Sequence, residues 1–421
     1  MTRHWRVVLA AVVFLAAWGM TYFWIYPRDF LGDVPLFETY GQAVRHGQVP
    51  YRDFALEYPP GALPAIVAPA LPGVSYVGFF SGLMAVFAVA CIVFVAACRP
   101  PKFALPFMAI SPLLVGALIR THFDLWPMAL IVAGLAALLR DRHRLGWAAL
   151  ALAFAAKLFA GVLIPVAAVW TFRRAGRRAL ARSLAVWVAI VAAAFVPFAV
   201  VAPHGLKESV TGQLSRPLQI ETLAASYLMT FEHPEIKSSH GSKNLPNRNG
   251  LAAATSAVLL ALLLALWIGF ARGPIEPERL KRYAAACVCA FVCFGKVLSP
   301  QFLIWLVPVV PLVRGKRGVA AAALLAAALI NTQVWFPGRY FKDYAWDAQL
   351  SLAWLVFVRN LTLVAIFSVL AAPVALLHPK LLAARAARGR LTRGMRSRSA
   401  AQTDIAAKPP SPDGRHRRAA P

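Results

Sequence analysis

Acid is scarce in this chain. Asp and Glu together number 17 against 44 Lys and Arg in 421 residues, and charged residues of both signs make up only 14%. With 60% hydrophobic residues and a mean hydropathy of +0.63, this composition excludes a soluble globule and indicates a polytopic membrane protein. Cysteine is also sparse. Four of the five (Cys91, Cys287, Cys289 and Cys293) sit inside apolar runs and Cys98 ends one, and the spacing Cys287-x-Cys289-x-x-x-Cys293 fits no zinc pattern. Neither a P-loop nor a Gly-x-Gly-x-x-Gly turn occurs, which argues against the common nucleotide-binding folds. Asp-x-Asp is missing too. Without that grip on a metal diphosphate, a membrane enzyme rich in cations points to a lipid-phosphate donor, with no cofactor and no obligatory metal expected. The net charge of +27 resembles that of a nucleic-acid binder. Its confinement to short clusters between apolar runs, and to the C-terminal tail, excludes that partner.

Those clusters set an expected topology. Residues 7–26 form a first apolar run of about 20, enough to span a bilayer. It ends in Tyr22-Phe23-Trp24-Ile25-Tyr26-Pro27, an aromatic belt that suits an uncleaved transmembrane helix rather than a signal peptide. Arg3 and Arg6 precede it. Further clusters stand at Arg99/Lys102, Arg140/Arg142/Arg144, Arg173/Arg174/Arg177/Arg178, Arg272/Arg279/Lys281/Arg282 and Arg314/Lys316/Arg317. If all are cytoplasmic, the chain crosses an even number of times between neighbours. Residues 145–172 and 283–313 are too short for two full spans, which need about 40 residues at 1.5 Å rise. They read as tight hairpins of short or broken helices. The expected architecture is all-α, a multi-pass plasma-membrane domain over residues 1–378 with roughly 10–13 membrane segments. Residues 379–421 carry eleven Lys and Arg against two Asp, a net +9. They read as a basic, disordered cytoplasmic tail drawn to anionic lipid.

This topology sends the polar residues of the apolar stretches to outward tips. Arg120, His122 and Asp124 fall at one tip, Lys157 at a second, and Lys296, Ser299 and Gln301 at a third. Asp33, Glu57, Gln219 and Glu221 fall in outer loops. Asp33-Val34-Pro35, followed by Phe37, Tyr40 and Val44, reads either as a helix N-cap or as a carboxylate placed to act as a general base. Tyr51-Arg52-Asp53-Phe54 and Glu57-Tyr58-Pro59-Pro60-Gly61 form a rigid turn. Its charges either pair with one another or shape an acceptor pocket in which tyrosines stack on sugar. Arg120-Thr121-His122-Phe123-Asp124 is a charged knot that needs partners at a membrane boundary. It reads as an Arg120–Asp124 pair or as phosphate binding through Arg120 or His122. Lys157 and Lys296 interrupt apolar runs at a cost that suggests cations for a lipid-linked phosphate. The Ser299-Pro300-Gln301 restart after Lys296 exposes backbone N–H groups suited to an anion. Gln219 and Glu221, with Arg216 just before them, suit a sugar or a solvated helix equally well.

Pro50-Tyr51-Arg52-Asp53-Phe54 with Glu57-Tyr58-Pro59-Pro60, residues 120–127, Ala156-Lys157-Leu158-Phe159, residues 218–223 and Lys296-Val297-Leu298-Ser299-Pro300-Gln301-Phe302 occur in that order. This series resembles glycosyltransferase family 87, over about residues 1–377. The resemblance implies a GT-C fold and transfer of a sugar, mannose among the candidates, from a polyprenyl-phosphate donor to a glycan or glycolipid acceptor of the cell envelope. It also implies inverting chemistry on the extracytoplasmic face with Asp33 as the catalytic residue. The substrate-binding residues would then be Arg120, His122, Lys157, Lys296, Gln301, Tyr51, Arg52, Glu57, Gln219 and Glu221, with membrane lipids as the surroundings. This chain has a single Asp in its first loop, where some GT-C enzymes carry a pair of acids. A transporter or flippase for a lipid-linked sugar is the competing class. It would require polar residues through the full membrane depth.

Overall fold

The computed structural model describes residues 3–25 and 30–372. The expected basic tail therefore lies outside the described residues. Nearly every element is helical. Helix α1 (Arg3–Met20) runs into a π-turn at Thr21–Ile25. The short helices α2 (Val34–Arg45) and α3 (Leu63–Val67) flank the double-proline turn, and α4 (Tyr76–Ala97) is the next long element. Ser75 opens α4 by accepting a hydrogen bond from Gly78 N at 3.3 Å, which satisfies one of its orphan donors. Then come α5 (Ala104–Val115), α6 (Leu118–Thr121), α7 (Leu125–Leu138), α8 (His143–Ala156) and α9 (Ile164–Val201). Helix α9 breaks at Gly176, whose φ of +82° and ψ of 177° are accessible to glycine and strained for other residues.

Residues 203–250 follow α9. They hold α10 (Pro203–Ser215), strand β1 (Leu218–Gln219), α11 (Leu223–Phe231), and strands β2 (Lys237–Ser239) and β3 (Ser242–Leu245). The three strands form an antiparallel sheet in the order β1-β3-β2, with Gln219 opposite Asn244 and Ser239 opposite Ser242. His240 and Gly241 make the β2–β3 turn at φ +52° and +65°, the double positive φ that a two-residue hairpin demands. The chain finishes with α12 (Asn249–Arg272), α13 (Pro277–Phe294), α14 (Gly315–Trp335) and α15 (Leu350–Ala371).

Six segments among the described residues are long and apolar enough to cross a membrane: His4–Trp24, Tyr76–Ala97, Leu158–Val201, Asn249–Arg272, Gly315–Trp335 and Leu350–Ala371. The two short intervals are broken as their lengths required. Helix α8 stops at Lys157, which is extended at φ −158°, and a 3-10 turn, Leu158–Leu163, leads into α9. Helix α13 stops at Gly295, and the chain restarts as a 3-10 turn at Pro300–Trp305. Helices α7, α8 and α9 pack in series, α14 packs on α15, and α1 packs on α5 and α4. Trp147 and Trp170 lock the α7–α9 layer. Their indole N–H groups donate to Thr171 Oγ1 at 3.0 Å and to Leu138 O at 3.1 Å.

The basic clusters converge on one end of this unit. Arg314 Nη2 donates to Arg99 O at 2.8 Å, and Arg314 Nε lies 3.2 Å from Glu278 Oε1, which also meets Lys281 Nζ at 2.6 Å. Arg173 donates to Ala271 O and Gly273 O, and Arg174 grips Asp141 through two bonds of 3.0 and 2.6 Å. One chain of contacts thus joins five clusters that are far apart in sequence.

Candidate functional site

At the other end, a cavity of about 970 Å³ opens where α2, the α6–α7 junction, the Lys157 break, the small sheet and the Lys296 break meet. Asp33 sits on its wall at the N-cap position of α2, yet its side chain makes no capping bond. The carboxylate is 37% exposed and faces His122, whose Nε2 lies 3.4 Å from Oδ2. Tyr58 donates its hydroxyl to the same oxygen at 3.5 Å. Burial, reinforced by Asp33 and Glu57, holds the Tyr58 phenol well above its usual pKa, so it acts as a donor. Tyr58 is fixed from behind by Tyr51, which donates to Tyr58 O at 2.6 Å, and by an edge contact with Phe123 at 4.9 Å. The turn that carries Tyr58 is pinned by Trp126, which donates to Gly61 O at 3.0 Å.

Asp124 and Lys157 form the floor. Lys157 Nζ lies 2.6 Å from Asp124 Oδ1, and the Trp305 indole N–H donates to the same oxygen. The ammonium also sits over the rings of Phe123 (4.8 Å), Trp305 (5.2 Å) and Phe302 (5.6 Å). Lys157 therefore lines the cavity as half of a neutralised pair in an aromatic cage. Asp124 is engaged by Lys157 and Trp305 rather than by Arg120, the partner offered by one of the two readings of the charged knot. Arg120 is buried outside the cavity lining with its guanidinium over the Tyr22 ring at 5.4 Å. Arg52 is also outside the lining, exposed and paired with Asp53 through two bonds of 2.9 Å. Tyr51 acts through Tyr58 and does not reach the cavity itself.

The remaining expected residues line it. Lys296 donates to Leu214 O at 2.6 Å, and partial burial lowers its pKa. Gln219 donates from Nε2 to Ser299 Oγ at 3.0 Å, while its Oε1 is buried without a partner. Glu221 is 1% exposed, takes the Tyr340 hydroxyl on Oε1, and keeps Oε2 unpartnered. Its backbone oxygen accepts from Arg359 at 2.9 Å and Asn360 at 3.0 Å. Burial pushes the Glu221 carboxyl up to about 7. Glu57 is raised by burial and partly offset by Arg216. Gln301 completes this group.

The structure adds Lys243 and Tyr340, which sequence reasoning passed over, and brings in Arg216, noted in the sequence only as the neighbour of Gln219 and Glu221. Arg216 reaches His240 O at 3.0 Å and Ser242 Oγ at 2.9 Å, and lines the cavity with Lys243 and Tyr340. Lys243 and Tyr340 carry no sequence signal. Lys243 stands on β3, which pairs with β1 and β2, and Tyr340 donates its hydroxyl to Glu221. With Asp124 and Lys157 internally paired, the free charges on the wall are Arg216, Lys243 and Lys296 against Asp33, Glu57 and a Glu221 that is partly protonated near neutrality. This balance favours an anionic ligand group beside a working carboxylate.

Comparison with known proteins gives a match between residues 56–300 and the model of glycosyltransferase family 87. The matched stretch takes in Glu57, Lys157, Gln219, Glu221 and Lys296, and begins after Asp33. Among solved structures, the chain is similar to ArnT from Cupriavidus metallidurans bound to undecaprenyl phosphate. That similarity is 13% in identity with a TM-score of 0.49, and it covers 88% of this chain and 78% of the other. No curated protein matches the chain.

Proposed function

The chain belongs to glycosyltransferase family 87, and on that premise we propose that it moves a sugar from a polyprenyl-phosphate donor to a hydroxyl of a glycan or glycolipid acceptor in this cavity. The observation that carries the reading is the state of Asp33. It stands where a helix cap would stand, makes no cap bond, and lies on the wall of a cavity that also carries the unneutralised cations Arg216, Lys243 and Lys296.

In this reading Asp33 takes the proton from the acceptor hydroxyl, a role worth about 10²–10⁴-fold in rate. His122 and Tyr58 orient the carboxylate. The acceptor oxygen attacks the anomeric carbon from the face opposite the phosphate, so configuration inverts through an oxocarbenium-like transition state. The anomeric C–O bond breaks, and its electron pair leaves with the polyprenyl phosphate. Lys296, Arg216 and Lys243 stabilise that departing phosphate, the electrostatic term that usually dominates. The unpartnered oxygens of Gln219 and Glu221 accept hydrogen bonds from sugar hydroxyls, mannose being the candidate sugar. The apolar wall at Leu36, Leu259 and Phe341 suits the first units of the lipid chain. In this reading the basic end faces the cytoplasm, which the positive-inside rule supports, and the cavity opens on the extracytoplasmic side of the plasma membrane.

The test is Asp33→Asn, assayed in membranes with labelled polyprenyl-phosphate mannose and a panel of other polyprenyl-phosphate sugars. Loss of transfer in a normally folded variant supports the assignment, whereas undiminished transfer overturns it. Labelled sugar crossing proteoliposomes without forming a glycosidic bond would favour a flippase instead.

A further inference from the structure

A second, smaller cavity of about 320 Å³ lies at the basic end, between the start of α8 and the part of α9 that follows the Gly176 break. We propose that it is a binding site for a phosphate group, separate from the cavity described above and independent of the glycosyl-transfer reading.

Three arginines line it, Arg142, Arg144 and Arg182. The first turn of α8, residues 142–145, forms one wall. That 14-residue helix begins without a side-chain cap, since Arg142 occupies the N-cap position and makes no cap bond. The helix N-terminus therefore adds unsatisfied N–H groups and a partial positive charge. Two buried polar atoms on the wall also lack partners. Ser183 is 1% exposed with an unpartnered Oγ, and the His143 side chain is 10% exposed with an unpartnered Nδ1.

Buried polar groups left unpaired are unfavourable unless a ligand or water satisfies them. The acid on the wall is Asp141, already held by Arg174 at 2.6 and 3.0 Å, with His143 Nε2 at 3.8 Å. Its charge is therefore compensated by Arg174, which is outside the cavity lining, and the three arginines remain as net positive charge. Guanidinium forks, helix N–H groups and a hydroxyl together match the oxygens of a phosphate. That phosphate can come from an anionic lipid headgroup or from a free phosphate in solution.

The experiment compares the full-length chain with an Arg142→Ala/Arg182→Ala double variant, Ser183→Ala, and an Arg45→Ala control on the cavity-end helix α2. Native mass spectrometry in detergent counts phosphatidylglycerol or phosphatidylcholine retained per protein. Thermal unfolding is followed with inorganic phosphate or chloride at matched ionic strength. The double variant should bind the phosphate ligand at least about tenfold more weakly, the effect of losing a charge-assisted hydrogen bond. Ser183→Ala should show a smaller loss in the same direction, with sugar transfer unchanged in both. Retention of phosphatidylglycerol that both variants reduce identifies a lipid headgroup. Stabilisation by inorganic phosphate that both variants reduce, with the lipids retained alike, identifies free phosphate. If neither ligand separates the wild-type chain and the Arg45→Ala control from the two pocket variants, the proposal is wrong.

Discussion

Lys157 Nζ lies 2.6 Å from Asp124 Oδ1 across 33 residues of sequence. The two residues sit at the ends of separate hairpins, and Trp305 from a third segment completes the knot. Removing one partner of a buried pair leaves an uncompensated charge, at a cost of about 3–5 kcal/mol. Asp124→Ala should therefore lower stability by that amount, read as a fall in Tm. An Asp124→Leu/Lys157→Met double variant should recover most of the loss. A double variant no more stable than Asp124→Ala would show that the pair does not set local stability.

Lys296 and Arg120 should part company in kinetics. Lys296 lines the cavity, whereas Arg120 stacks on Tyr22 outside its lining. Lys296→Gln should raise the KM for the lipid-phosphate donor by roughly 10–100-fold, the loss of a hydrogen bond to a charged group. Arg120→Lys should lower Tm and leave that KM within about twofold. A large KM effect from Arg120→Lys would return it to the substrate site.

Glu221 gives stability a pH dependence of defined sign. Its folded pKa is raised from 4.5 to about 7, mainly by burial. Between those values the folded chain holds a proton that the unfolded chain has lost. Stability therefore falls as pH rises through this window and levels off above it. Glu221→Gln should flatten the slope between pH 5 and 7, as measured by thermal unfolding across pH. An identical slope in the variant would assign the dependence to another group.

Gly241 sits at φ +65°, and a Cβ placed there would meet Glu57 Oε1 at 3.3 Å. Gly241→Ala should weaken the β2–β3 hairpin by about 1–2 kcal/mol, the usual penalty for a side chain in the left-handed region. Hydrogen exchange over residues 237–245 should then quicken roughly 5–30-fold. Unchanged exchange would mean that the turn absorbs the side chain elsewhere.

Several features of this molecule are properties of short sequence windows. Apolar runs of membrane length, the short intervals around Lys157 and Lys296 that force broken hairpins, and the alternation of basic clusters with polar tips all follow from local hydropathy and charge. Transferring an apolar run of about 20 residues out of water outweighs any single side-chain contact. That dominance is why Asp33, Glu57, His122, Lys157, Gln219, Glu221, Lys296 and Gln301 could be expected to share a face, and they line one cavity.

Tertiary structure alone decided which partners these residues take. Asp124 chose Lys157 over Arg120, Arg52 turned to Asp53 in the exposed turn, and Asp33 left its own helix uncapped to face His122. The alternatives differ by only a few kcal/mol. The choice among them depends on how each helix is rotated against its neighbours, which sequence spacing does not encode. The small sheet that brings Arg216 and Lys243 to the cavity arises in the same way, because its short strands gain stability only from pairing with one another.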